Sequence, residues 1–195
     1  MSRLQNSDGS SVILATRHEI ERHLLAKIDR GNRGLVGTEL ELFVTDKAGN
    51  PLPFSKIEAV LETMAQSLSG AERILDGGRL VTLTVPDIGD VCLEPGGHIE
   101  LSPARCKTRV EREQRHVVLL SALEAAAAKL DLRVTGAGHM PSFLTGPDMP
   151  RSRFSAYYAY CRETLGAQAE DLIATMKSCT GLQVNVDPMG KDFHE

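Results

Sequence analysis

Residues 35–46 alternate in polarity. Val36, Leu40, Leu42 and Val44 fall on one parity and Glu39 and Glu41 on the other, which predicts a half-buried β-strand. Short runs of the same kind recur at 79–85, 90–94, 98–102, 133–138 and 182–187. Between them the period lengthens to that of a helix. Residues 56–68, 108–130, 155–163 and 168–177 each predict an amphipathic helix. So does 13–30, where Ile13, Leu14, Ile20, Leu24, Leu25 and Ile28 share a stripe that Gly31, Asn32 and Gly34 end. Residues 1–12 are expected to be a flexible lead, with 13–195 as one domain. Ala48-Gly49-Asn50-Pro51 and Pro95-Gly96-Gly97 are turn chemistry, and 140–150 is a loop rich in Pro and Gly. The double glycine also lets a backbone approach a ligand closely, and the two roles are compatible.

Many strands follow one another through short turns, so the expected class is α+β, with a largely antiparallel sheet and helices packed on one face. No phosphate loop of the G-x-x-x-x-G-K-[ST] type and no strand-borne G-x-G-x-x-G is present.

Parity also sorts the chemistry. Val91 and Leu93 oppose Glu94; Ile99 and Leu101 oppose His98 and Glu100; Leu182, Val184 and Val186 oppose Gln183, Asn185 and Asp187. Three segments therefore each offer one apolar face and one face of acids or amides, with no Lys or Arg among the latter. Two readings stand. One is a solvated face of scattered acids. The other is a face whose crowded carboxylates hold Mg²⁺ or Mn²⁺, hard cations that take oxygen ligands and commonly bind nucleotide phosphates. On the second, at least three of the four glutamates should lie close enough to share ions. Leu40, Leu42, Leu93, Leu101, Val184 and Val186 should then pack against helices.

Composition narrows the partners. The 195 residues are 42% hydrophobic and 25% charged, and the net charge is −4, which disfavours a general grip on nucleic acid. No apolar run approaches the ~20 residues that span a bilayer. The first residues lack the basic start and apolar core of an export signal, so a cytoplasmic location with reduced thiols is expected. Cys92, Cys106, Cys161 and Cys179 include no C-x-x-C pair.

The segments Val36-Gly37-Thr38-Glu39-Leu40-Glu41, Leu93-Glu94-Pro95-Gly96-Gly97-His98-Ile99-Glu100-Leu101-Ser102 and Gln183-Val184-Asn185-Val186-Asp187 resemble the G-x-E-x-E, L-E-P-G-G-Q-x-E-L-S and Q-V-N-L-D motifs of glutamate–cysteine ligases of the plant and proteobacterial type. Arg153-Phe154 resembles that family's R-Y. The resemblance implies a glutamine-synthetase-like sheet, incomplete here. It also implies ATP-driven joining of the glutamate γ-carboxylate to the cysteine amine through an acyl phosphate, the first step of glutathione synthesis. Glu39, Glu41, Glu94 and Glu100 match the positions that hold Mg²⁺ (or Mn²⁺) and, through it, the co-substrate ATP. Gln183 and Asn185 match the strand that completes the face. Arg153 is either a clamp for a glutamate carboxylate or a surface arginine at a helix start. His98 stands where Gln is usual, Phe154 where Tyr is, and Pro103 where Gly is common. The first two keep a different amine acceptor in play. The family also runs on past Q-V-N-L-D, so the chain is expected to be a fragment or a shortened relative. An open sheet edge would then invite self-association.

Overall fold

The structure, a computed structural model, describes residues 2–5, 11–14, 16, 18, 19, 22 and 34–186. The chain divides into two compact units, residues 1–35 with 187–195, and residues 36–186. In the first, β1 (Ser2–Gln5) pairs antiparallel with β2 (Ser11–Leu14). The expected lead and the start of the expected helix thus meet as strands. Short β-branched runs such as Ser-Val-Ile-Leu satisfy their backbone as readily in a ladder as in a helix. Most of the rest of the expected helix lies outside the described residues, and so does Asp187.

The second unit is built on β3 (Val36–Thr45), the longest strand. One edge pairs with β7 (Ile99–Pro103), which leads on through β6 (Gly89–Leu93) and β5 (Arg79–Val85) to β4 (Glu72–Asp76). The other edge is shared by β9 (Leu182–Val186) along its first half and β8 (Arg133–Thr135) along its second. Every pairing is antiparallel, as the short turns in the sequence led us to expect.

Two helices cover the apolar face. α1 (Phe54–Ser67) buries Ile57, Val60, Leu61 and Met64. α2 (Arg109–Lys129) buries Leu119, Leu123, Ala126 and Ala127. Its start is fixed by a capping box, in which Thr108 accepts from the Glu111 N–H and Glu111 reaches back to the Thr108 N–H. His116 on α2 meets the Thr38 hydroxyl at 2.8 Å, tying helix to strand. Leu42, Val91, Leu93, Ile99 and Leu101 fill the interface, each at most 6% exposed. α3 (Ser152–Leu165) and α4 (Ala169–Ser178) pack on each other, and α4 also touches the 95–97 turn.

The outer strand departs from expectation. Leu182, Val184 and Val186 are 58–66% exposed. The register puts them on the parity of Leu40, as foreseen, but no described helix reaches over β9. Alternation fixes which way side chains point, not whether anything lies above them.

Pro95–Gly97 forms a 3₁₀ turn in which Gly96 has φ 74°. A Cβ there would sit 2.6 Å from the Lys177 carbonyl oxygen. Gly96→Ala should therefore loosen the docking of α4, lowering the melting temperature by several degrees, on the order of 2 kcal/mol of strain and displacement.

Candidate functional site: the acidic face of the sheet

The register gathers the predicted residues on one face. Glu39 lies opposite Gln183, Gly37 opposite Asn185, and Glu41 opposite Glu100. Cys92 lies opposite both Thr82 and Glu100, and the parity of Cys92 carries to Glu94. The four glutamates, Gln183 and Asn185 therefore share a face, with Thr82, Thr84, Asp90 and Ser102 beside them.

Each glutamate is held differently. Glu39 Oε1 accepts from Asn185 Nδ2 at 2.9 Å. Glu41 Oε2 accepts from the Gly181 N–H at 2.8 Å. Glu100 Oε1 accepts from the Ser102 hydroxyl at 2.6 Å. Glu94, 8% exposed, takes two guanidiniums on one oxygen: Arg151 Nη1 at 3.3 Å and Arg153 Nη2 both donate to Oε1. No hydrogen bond from a described residue reaches Glu94 Oε2.

Burial raises the Glu41 carboxyl above its ordinary pKa, the Gly181 N–H opposes, and the charges of Glu100 and Glu39 add to the rise. Burial also raises Glu94, against the pull of Arg153 and Arg151 and with a further push from Glu100. The carboxylates thus feel one another along the row from Glu39 to Glu94. Beyond Glu39 the face deepens into a cavity of about 480 Å³, lined in part by Glu39, Thr84, Asp90, Ser102, Arg105 and Asn185.

Three expectations need correction. Among the described residues no three His, Cys, Asp or Glu side chains are gathered as a metal cage, so the expected sharing of ions by three glutamates is not met. The strands hold the carboxylates in a row, two residues or one strand apart. The donor set still fits Mg²⁺, which keeps several waters and binds through one or two carboxylates plus substrate phosphates. The crowding around Glu41 and the open Oε2 of Glu94 are where such an ion would be useful. Second, the absence of cations holds for the three acid-bearing segments but not for the fold, because β8 places Arg133 opposite Thr45 on the same parity and the start of α3 delivers Arg151 and Arg153 to Glu94. Third, His98 shares the parity of Glu100 yet is 2% exposed. It lies edge-on to Phe43, which in turn packs on Phe143 with ring centroids 4.5 Å apart.

His98 Nε2 lies 3.4 Å from the Met176 carbonyl oxygen, and Nδ1 has no hydrogen-bond partner among the described residues. Burial drives the imidazole pKa down to about 4, with the Met176 carbonyl opposing. A depressed folded-state pKa means that the neutral ring belongs to the native state. His98 therefore leaves stability intact above about pH 6.5 and erodes it as the pH falls from there towards 4, by roughly 3 kcal/mol in all. His98→Gln is expected to flatten that part of the stability–pH curve, as denaturant unfolding at pH 7 and pH 4.5 would measure. An equal acid loss in both proteins would place the effect elsewhere.

Arg151 is the functional residue that sequence reasoning missed. Its only signal was its place two residues before Arg153 and directly after Pro150. No helix among the described residues is long and apolar enough to cross a membrane, and the four cysteines are free thiols.

Comparison with known proteins adds the relationship. The family model described as glutamate-cysteine ligase family 2 matches residues 35–192. Chloroplastic glutamate–cysteine ligases of Brassica juncea and Arabidopsis thaliana are each 25% identical over 175 residues, 88% of this chain. The match spans 33% and 32% of those proteins, so the chain covers about a third of the curated relatives it resembles.

Proposed function

This chain belongs to glutamate–cysteine ligase family 2, and from that premise we propose that its acidic face serves ATP- and Mg²⁺-dependent ligation of the glutamate γ-carboxylate to the cysteine amine. The observation that carries this reading is the row of four glutamates on one sheet face, with an arginine pair at one end and a cavity at the other. Glu39, Glu41, Glu94 and Glu100 would hold Mg²⁺, or Mn²⁺ in its place. The ion would neutralise phosphate oxygens and the charge that develops in phosphoryl transfer. Gln183 and Asn185 would complete the face, with Asn185 holding Glu39 in its rotamer. Arg153 would take a glutamate carboxylate in the bidentate manner guanidinium allows.

In the reaction proposed, a γ-carboxylate oxygen attacks the terminal phosphorus of ATP and ADP leaves. The amine nitrogen then attacks the acyl carbon, the C–O bond to phosphate breaks, and the amine gives up a proton. The chain's contribution is to align the reactants and keep the anions apart until they react. A cytoplasmic place of action, with reduced thiols and no nucleic-acid partner, belongs to the same proposal. The word chloroplastic in the relatives' names describes those proteins.

Phosphate release tests the reading. The chain, or a longer protein that carries it, should release phosphate only when glutamate, an amine acceptor, ATP and Mg²⁺ are all present. Turnover without glutamate, or turnover that survives chelation, would count against it. Replacing cysteine by other amines in that assay tests a different acceptor, which His98 and Phe154 keep in play.

A second reading is favoured by the exposed apolar side of β9. On it the chain is a shortened, non-catalytic relative that binds Mg-nucleotide and pairs with another chain through β9. Binding of Mg-ATP without turnover, together with a concentration-dependent sedimentation coefficient that Val184→Lys abolishes, would select it.

A further inference from the structure

The two guanidiniums on Glu94 are not equivalent. Arg151 has a side chain only 15% exposed and spans three acceptors: the Leu93 carbonyl at 2.7 Å, Glu94 Oε1 at 3.3 Å and the Thr82 hydroxyl at 3.5 Å. Moving it would strand a desolvated carbonyl and a half-buried charge, each costly. Arg153 is 54% exposed, and Glu94 is its only hydrogen-bonded partner among the described residues. It otherwise rests over the Phe154 ring, 5.0 Å from the centroid. Its guanidinium can pass to water on release, but the carboxylate it leaves is only 10% exposed and then needs another cation beside it.

The backbone beneath both is fixed independently. Ser152 N and Oγ donate to Asp76 Oδ2 at 2.6 and 2.8 Å, pinning the start of α3 to the end of β4. Both arginines converge on Oε1, which leaves Oε2 without a hydrogen bond from a described residue.

We propose that Arg151 is a fixed positioning residue that aims Glu94 Oε2 at the acidic face. Arg153 is an exchangeable partner, released from Glu94 to a substrate oxyanion when a divalent cation takes over its charge-balancing place. This deepens the Mg-nucleotide reading and rests on it.

The anchor is tested without ligand, by double-mutant cycles in denaturant unfolding. Arg151→Met with Glu94→Gln is expected to show at least a tenfold coupling in the unfolding equilibrium constant, about 1.4 kcal/mol. Arg153→Met with Glu94→Gln is expected to show coupling as well, but Arg153→Met alone should cost far less stability than Arg151→Met alone, which also strands the Leu93 carbonyl. Should Arg151→Met not fold, the cycle runs on Arg151→Lys, which keeps the charge but cannot reach all three acceptors; it should retain only part of the coupling. Equal losses from the two single substitutions, or no coupling at Arg151, overturn the anchor.

The exchange is read from the guanidinium Nε–H resonances, assigned with Arg151→Lys and Arg153→Lys. On adding Mg-ATP and then glutamate, the Arg153 signal should move and the Arg151 signal should stay. Movement with Mg-ATP alone identifies a phosphate oxyanion; movement that waits for glutamate identifies a carboxylate. A stationary Arg153 in a protein whose melting temperature Mg-ATP raises overturns the exchange and leaves the nucleotide reading standing. If Mg-ATP leaves the melting temperature unchanged, the nucleotide reading fails and the exchange with it, while the anchor still stands or falls on the ligand-free cycle.

Discussion

Glu41→Gln is expected to make the chain harder to unfold and, at the same time, a much poorer binder of Mg-ATP. Glu41 sits opposite Glu100 on β7 and two residues from Glu39, and both neighbours disfavour its ionised form. Glutamine removes one member of the repelling row. Its side-chain carbonyl can still accept the Gly181 N–H that Glu41 now accepts at 2.8 Å. The expected gain is about 1 kcal/mol, in line with like charges facing one another across strands. The expected loss in Mg-ATP affinity is at least tenfold, on the order of 1.4 kcal/mol. Opposite signs for stability and binding are the mark of a site that holds charge for a ligand. Glu58→Gln is the matching control. Glu58 pairs with Arg79 at 2.7 Å and accepts the Leu80 N–H, and its substitution should cost stability slightly and leave nucleotide binding unchanged.

Gly89→Ala should be the most destabilising small substitution in the sheet. Gly89 opens β6 with φ 143°, a conformation that L side chains rarely adopt. A Cβ there would collide with the Ser102 carbonyl oxygen and lie 2.6 Å from Pro103 Cα and 2.8 Å from Ala104 N. All three are backbone atoms of β7 and its exit, so no flexible side chain can move aside. Relief requires β6 and β7 to part, which breaks the pairing that sets Cys92 opposite Glu100. A loss of about 4 kcal/mol is expected, or roughly 10 °C in melting temperature for a chain of this size. Thermal unfolding followed by circular dichroism would measure it, and a shift under 2 °C would show that the strands separate far more easily than their packing implies.

Much of the architecture was legible because side-chain parity in a strand is a geometric necessity. The alternation around Glu39 and Glu41, and again around Glu100 and Gln183, places these residues on one face whatever the neighbouring strands are; the register then brings them together. The extent of α2 was legible from the helical period over 108–130, and the structure adds the capping box of Thr108 and Glu111 that closes its start.

What escaped the sequence depends on distant parts of the chain. β4 is exposed along four of its five residues and carries no alternation; only Gly77-Gly78 before Leu80 hinted at a hairpin. Phe43, on the parity of Glu39 and Glu41, was a signal that part of this face is roofed, since a large aromatic is rarely left on a polar face. The roof itself comes from Phe143, a hundred residues away. The compensating arginines were invisible for a similar reason. Nothing in Pro150-Arg151-Ser152-Arg153 says which strand the start of α3 will meet.

The central claim is that the acidic face binds nucleotide through a divalent ion held by these glutamates. Calorimetric titration of the 195-residue chain with ATP tests it most directly, run in Mg²⁺ and again in excess chelator, for the native chain and for Glu41→Gln combined with Glu100→Gln. Saturable binding in Mg²⁺ that disappears on chelation and in the double variant is the expected result. Binding of equal strength with and without Mg²⁺, or undiminished binding by a correctly folded double variant, would contradict it.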